Sequence, residues 1–267
     1  MRTLIGIYFF LIGLCFGSFA LATAWRIKKK KDFTRERSEC EYCHHTLSAR
    51  DLIPLYSWLS LGGKCRYCRK KLSRLMPLAE LTGGIFLVAS YLFWPVQLVG
   101  FNAVASFVVW CLGLILLLIL FFYDLQWFLL PNKVMHPLWA VASVSFLLRF
   151  LKQPTLHTLL LGIGAVAIAA GLFLAIWLVS KGSWIGFGDV RLGLAIGLFV
   201  GTPLLATLVI FAASVIGVIF ALPLLVTRNK KLNSKLPFGP LLILALVLVQ
   251  LFGQRAADWY AVHLLFL

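Results

Sequence analysis

Uncharged apolar runs of about twenty residues recur along this sequence and leave it few ways to fold. Eight can be marked, at about 4–25, 77–95, 101–123, 135–151, 156–179, 190–202, 204–226 and 237–252. A run of that length, wound as a helix, matches the hydrocarbon core of a bilayer. In lipid every backbone N–H and C=O must be satisfied internally, which a helix does and an open strand does not. The expected fold is therefore an all-α polytopic membrane protein with about eight transmembrane helices. Composition agrees, since 61% of the 267 residues are hydrophobic and only 13% charged, where soluble domains carry about 25% charged residues. The first run lacks the basic start and small-residue cleavage site of a removable signal peptide, so it reads as a retained span. The sixth, Val190 to Thr202, is short and rich in glycine and is expected to tilt or to merge with its neighbour.

The net charge of +16 is unevenly spread: 14 of the 25 Lys and Arg residues lie between Arg26 and Arg74, in the one long polar stretch. Positive loops beside membrane helices orient the chain, with the basic side cytoplasmic, and attract anionic headgroups. That distribution argues for a lipid bilayer as partner and against nucleic acid. If the loop after the first run is cytoplasmic, alternation also puts Lys133, Lys181, Arg191 and the basic residues of 228–235 there, leaving Arg2, Arg149, Lys152 and Arg255 outside. The tail from Gly253, with Trp259 and Tyr260, reads as interfacial. The chain divides by composition into a first transmembrane helix (1–25), a cytoplasmic basic insert (26–76) and a membrane-embedded domain (77–267), with no evident internal repeat.

Within the insert, Cys40-x-x-Cys43 and Cys65-x-x-Cys68 stand 21 residues apart. Each pair can set two thiolates on one tight turn, and two such turns complete a tetrahedral site for structural Zn²⁺. The alternative, a pair of disulfides, is disfavoured in a reducing cytoplasm. The adjoining His44 and His45 are not needed as ligands. Cys15 and Cys111 fall inside apolar runs and read as small core residues.

Only Glu80, Asp124 and Asp189 are acids in or beside the membrane runs before the tail. Ionisable groups there are costly and usually functional. Asp124 ends the third run in Tyr123-Asp124, and Asp189 opens the sixth in Gly186-Phe187-Gly188-Asp189, so both fall at the same, cytoplasmic boundary. Two carboxyls sharing a proton can hydrolyse a peptide, one ionised to activate water and the other protonated to polarise the carbonyl. Helix ends suggest Asp189 as the initial base and Asp124 as the initial acid. Gly186 and Gly188 would allow a turn and close passage of an extended substrate. Taken singly, Asp189 could be a helix cap and Asp124 an interfacial charge. Glu80 is a candidate for binding a substrate amine or pairing with an insert Arg, or is simply a helix-start acid. A proton- or cation-coupled transporter would more often hold its acids near mid-membrane at interrupted helices.

These pieces resemble the bacterial type IV prepilin peptidases. The resemblance is carried by Gly17-Ser18-Phe19, by Arg35-Glu36-Arg37-Ser38-Glu39-Cys40 with the second cysteine pair, and by Pro77 to Glu80. It continues through Tyr123-Asp124 with Leu130-Pro131-Asn132, through Gly186-Phe187-Gly188-Asp189-Val190-Arg191-Leu192 and through Pro237-Phe238-Gly239-Pro240. It implies an aspartyl endopeptidase, with Asp124 and Asp189 catalytic, Gly186, Gly188, Glu80 and Arg191 supporting, and Cys40, Cys43, Cys65 and Cys68 on zinc. The implied substrates are prepilins or pseudopilins, cut after a glycine at the end of a basic leader, in a bacterial inner membrane with the site facing the cytoplasm. Many members also methylate the new N-terminus with S-adenosylmethionine.

Departures are Arg191 where the family has Lys, Asn132 where it commonly has Asp, Asp51 where Asn commonly precedes Ile-Pro, and the Lys28–Lys31 run. They bear on substrate preference and methylation more than on proteolysis. The presenilin and signal-peptide-peptidase type also pairs Tyr-Asp with GxGD, but its Pro-Ala-Leu motif is absent and the cysteine insert is foreign to it. The particular substrate and the oligomeric state are not written in the sequence.

Overall fold

The computed structural model describes residues 2–31, 37–226 and 237–264. The Arg35-Glu36 part of the family-like element and the basic 228–235 segment lie outside them. Among the described residues there is no strand, only helices and two isolated β-bridges. Among the described residues seven helices are long and apolar enough to cross a membrane, and one further apolar helix is shorter.

Two compact units divide the chain, Met1–Leu92 and Phe93–Leu267. The first holds α1 (Arg2–Lys28), a 3-10 turn (Ala49–Leu52), the short α2 (Tyr56–Ser60) and α3 (Leu75–Phe93). Helix α1 meets α3 through small residues: a Cβ on Gly13 would stand 2.5 Å from the Gly83 carbonyl, and one on Gly17 would collide with the Ala79 carbonyl. Between spanning helices the hydrophobic effect offers little drive, and close backbone approach through glycine takes its place. Arg2 donates to the Leu92 carbonyl at 3.0 Å, closing the last turn of α3.

The second unit comprises α4 (Phe101–Trp127), α5 (Asn132–Lys152), α6 (Leu156–Ser180), α7 (Phe187–Val200), α8 (Pro203–Val226) and α9 (Phe238–Leu264). Helix α7 has 14 residues, about 21 Å at roughly 1.5 Å per residue, too short for a hydrocarbon core of about 30 Å. It does not merge with α8. Gly201 adopts φ +66°, a left-handed cap, and Pro203 then starts the next helix. Helix α7 packs against α5, α6, α8 and α9, with Gly193 and Gly197 seated on the α6 backbone. Its C-terminal carbonyls, which lipid could not satisfy, are bonded by Arg149 of α5, which donates to Phe199 O at 2.8 Å and to Val200 O. The tail beyond Gly253 continues α9 as far as Leu264, with Trp259 and Tyr260 exposed.

Candidate active site

Both aspartates belong to the second unit. Asp124 occupies the last turn of α4 and is 7% exposed. The helix stops four residues on, at Phe128, whose left-handed backbone lets its N–H return to the Asp124 carbonyl at 2.9 Å. Asp189 lies in the first turn of α7, where its carboxylate takes a backbone hydrogen bond from Gly186, the N-cap. Asp124 is near enough to act on Asp189 electrostatically.

Gly239, at the start of α9, completes the surroundings of Asp124. Its N–H donates to Asp124 Oδ2 at 3.1 Å, and a Cβ there would stand 2.6 Å from that oxygen. A backbone donor on the first turn of a helix suits an anionic oxygen. Asp124, at the C-terminal end of α4, is thus also served by the N-terminal end of α9. The sequence offered Gly239 only as part of the Pro237–Pro240 element, and the fold gives the physical reason for it.

Neither Gly186 nor Gly188 has a positive φ, so the left-handed turn that glycine would have permitted is not used. They differ in space. A Cβ on Gly188 would press on Leu130 at 3.1 Å, whereas around Gly186 nothing comes closer than 3.9 Å. Two further contacts tie α5, the helix that follows the loop after Asp124, to the helix bearing Asp189. Arg191 donates to Asn132 Oδ1, and Trp139 Nε1 donates to the Arg191 carbonyl at 3.0 Å. The guanidinium also lies 4.9 Å from the Phe187 ring centre. Two of the departures noted in the sequence, Arg191 and Asn132, are therefore partners in one contact.

The cysteines and Glu80 belong to the first unit. Cys40, Cys43, Cys65 and Cys68 bring four sulfurs within 4.8 Å of one another, with Cys40 Sγ and Cys68 Sγ 3.9 Å apart. A tetrahedron of Zn–S bonds of about 2.3 Å needs sulfurs about 3.8 Å apart, so the donor set fits that ion. The two knuckles are copies. Cys40 N–H donates to His45 O at 3.0 Å and Leu47 N–H to Ser38 O at 2.8 Å; Cys65 N–H donates to Lys70 O at 2.9 Å and Leu72 N–H to Gly63 O at 2.8 Å. His44 and Arg69, each following the second cysteine, share a left-handed φ near +54° and +59°. This repeat escaped the sequence reading because, within these bonded spans, only the cysteines, one tyrosine (Tyr42, Tyr67) and one leucine (Leu47, Leu72) are common to the copies. The Cys43 backbone contact from His45 favours its thiolate, but burial and the neighbouring thiols outweigh it and push the thiol up to about 11. Burial opposes ionisation of Cys65 too, yet backbone N–H groups of Cys68 and Tyr67 prevail and bring it to about 7.

Glu80 is 8% exposed: its Oε2 accepts the Leu55 N–H at 2.7 Å, and Ser18 bonds it from α1.

Comparison with known proteins yields two family matches: the bacterial peptidase A24 N-terminal domain over residues 11–94 and the type IV leader peptidase family over residues 111–222. A prepilin leader peptidase/N-methyltransferase of Bacillus subtilis is 30% identical over 254 residues, 94% of this chain and 96% of that one. Proteins of the same name from Aeromonas salmonicida (31%, covering 84% and 74%) and Vibrio cholerae (30%, covering 91% and 95%) are similar over most of the chain. No solved structure matches.

Proposed function

Because this chain belongs to the type IV leader peptidase family, we propose that it is a membrane aspartyl endopeptidase that removes the basic leader of prepilins or pseudopilins. Its catalytic pair is Asp124 and Asp189. What supports this assignment is that separate helices bring two carboxyls near one another, with Asp124 held by the Gly239 N–H and the segments beside the pair joined by Leu130 against Gly188 and by Arg191 to Asn132.

The chemistry follows from one shared proton. The ionised carboxyl takes a proton from water as its oxygen attacks the scissile carbonyl carbon. The protonated carboxyl donates to the carbonyl oxygen as the tetrahedral intermediate forms. On collapse the C–N bond breaks as one carboxyl gives its proton to the leaving amine and the other takes a hydroxyl proton from the gem-diol intermediate, so the pair ends with the single proton it began with. Gly188 and the Arg191–Asn132 contact support the geometry, and the open space at Gly186 leaves room for an extended substrate backbone. Glu80 supports the first unit rather than the reaction centre.

The active site faces the cytoplasm of a bacterial inner membrane in this reading, which rests on the concentration of Lys and Arg between 26 and 74. Cys40, Cys43, Cys65 and Cys68 hold a structural zinc ion, whose contribution is folding energy rather than hydrolysis. The relatives' shared name also supports methylation of the new N-terminus, with S-adenosylmethionine as donor.

The test is to incubate membranes carrying this chain with a prepilin and measure the intact mass of the product. Cleavage should leave a shorter chain beginning at the residue after the leader glycine, and methylation should add the mass of one methyl group. An unprocessed prepilin, in membranes where the chain is present and folded, would remove the proposal.

A further inference from the structure

Two carboxylates of the first unit are used neither by the proposed hydrolysis nor as metal ligands, yet both are enclosed. Asp51, with a side chain 5% exposed, accepts four hydrogen bonds. They come from Ser48 N (3.1 Å), Ser48 Oγ (2.8 Å), Arg66 Nε (2.7 Å) and Tyr67 OH (3.0 Å). Arg66 and Tyr67 are the two residues between Cys65 and Cys68. The Tyr67 ring also lies 3.7 Å from that of His45, beside the first knuckle. Asp51 therefore fastens the cysteine cluster to the connector that follows it in the fold, the 3-10 turn Ala49–Leu52.

Four residues on, Leu55 adopts φ 60°, ψ −49°, a backbone state that a branched side chain occupies only when its surroundings hold it there. What holds it is Glu80, whose Oε2 takes the Leu55 N–H at 2.7 Å, while Ser18 of α1 bonds the same carboxylate. A helix-start acid favoured only by the helix dipole would need no partner from the insert. The contacts thus form one path, from the cluster through Arg66 and Tyr67 to Asp51, along the connector to Leu55, and through Glu80 to α1 and α3.

We propose that Asp51 and Glu80 are positioning residues that couple metal occupancy of the four-cysteine cluster to the seating of the 48–55 connector on α1 and α3. The inference rests on the zinc reading of the cluster. Coupling through a shared element is reciprocal: if bound metal steadies the connector, a secured connector must tighten metal binding by the same factor.

The experiment uses the purified full chain in lipid nanodiscs. Zinc affinity is measured by competition with a chelator, and backbone amide exchange is followed by mass spectrometry for wild type, D51N, E80Q and E80A. Removing zinc from wild type should speed exchange over residues 53–57. D51N and E80A should each weaken zinc binding by roughly tenfold, within the usual span of such couplings, and the double variant should lose less than the product of the two. E80Q, which keeps an acceptor for Leu55 N–H, should stay close to wild type. Zinc affinity unchanged in a folded E80A, or exchange at 53–57 indifferent to zinc, would overturn the coupling. The second arm decides the matter on wild type alone if E80A does not fold. A wild type that takes up no zinc would instead overturn the zinc reading itself.

Discussion

At Gly239 one methyl group separates a working contact from a collision, since a Cβ would lie 2.6 Å from the Asp124 oxygen its N–H now serves. G239A is expected to displace that carboxyl and lower kcat for leader removal by about 100-fold, the scale of a 1 Å misplacement, while the chain still inserts and binds zinc. Cleavage kinetics beside a zinc assay check it. Gly186, with open space around it, should accept alanine with a far smaller loss. Asp51 carries a pH signature. Burial alone would raise its carboxyl, but the bonds from Arg66, Ser48 and Tyr67 outweigh that and hold it at about 2, below its ordinary 3.8. A lowered folded-state value contributes stability above the unfolded one and loses it as pH falls through the folded one. The stability gap between wild type and D51N should therefore be full above pH 4 and vanish toward pH 2, read by insert fluorescence during thermal unfolding of metal-free protein. At this scale the sequence reading identified the aspartates and cysteines as residue types that cost too much in their places to be idle. It met Gly239 and Asn132 only as members of family-like segments and did not single out Leu55, because their parts depend on groups brought together from distant segments.

Helix α7 is the element on which the second unit turns. Its apolar run and its shortness were legible, but the way its far end is closed was not, because a run of 13 residues says nothing of how the last carbonyls are satisfied. Arg149, read from the sequence as an outside loop charge, closes that end by donating to Phe199 and Val200 carbonyls. R149M leaves those carbonyls without partners. Hydrogen bonds from a charged donor contribute about 1.5–3 kcal/mol, and thermal unfolding in detergent should show a loss of that order. At the near end, Arg191 and Asn132 hold the helix carrying Asp189 to α5, the helix that follows the loop after Asp124. R191M should lower cleavage by about 10–100-fold through misplacement, with R191K restoring much of it and zinc binding untouched. The paired departures at 132 and 191 were visible singly in the sequence. That they face each other depends on how α5 and α7 pack.

Across the whole molecule, the membrane class followed from hydropathy because lipid leaves the backbone almost no alternative to helices. Seven long helices and one short one answer to the eight apolar runs. The cysteine cluster belongs to Met1–Leu92 and the aspartate pair to Phe93–Leu267, and the proposed hydrolysis draws on carboxylates alone. Chelation should accordingly release zinc and loosen the first unit before cleavage fails, a sequence of events visible when both are followed over time. The central claim is the aspartate pair, and its most direct test compares leader removal by membranes carrying wild type, D124N and D189N at matched expression. The account predicts that both variants lose cleavage by several orders of magnitude while retaining zinc and fold. Full cleavage by either variant would contradict it.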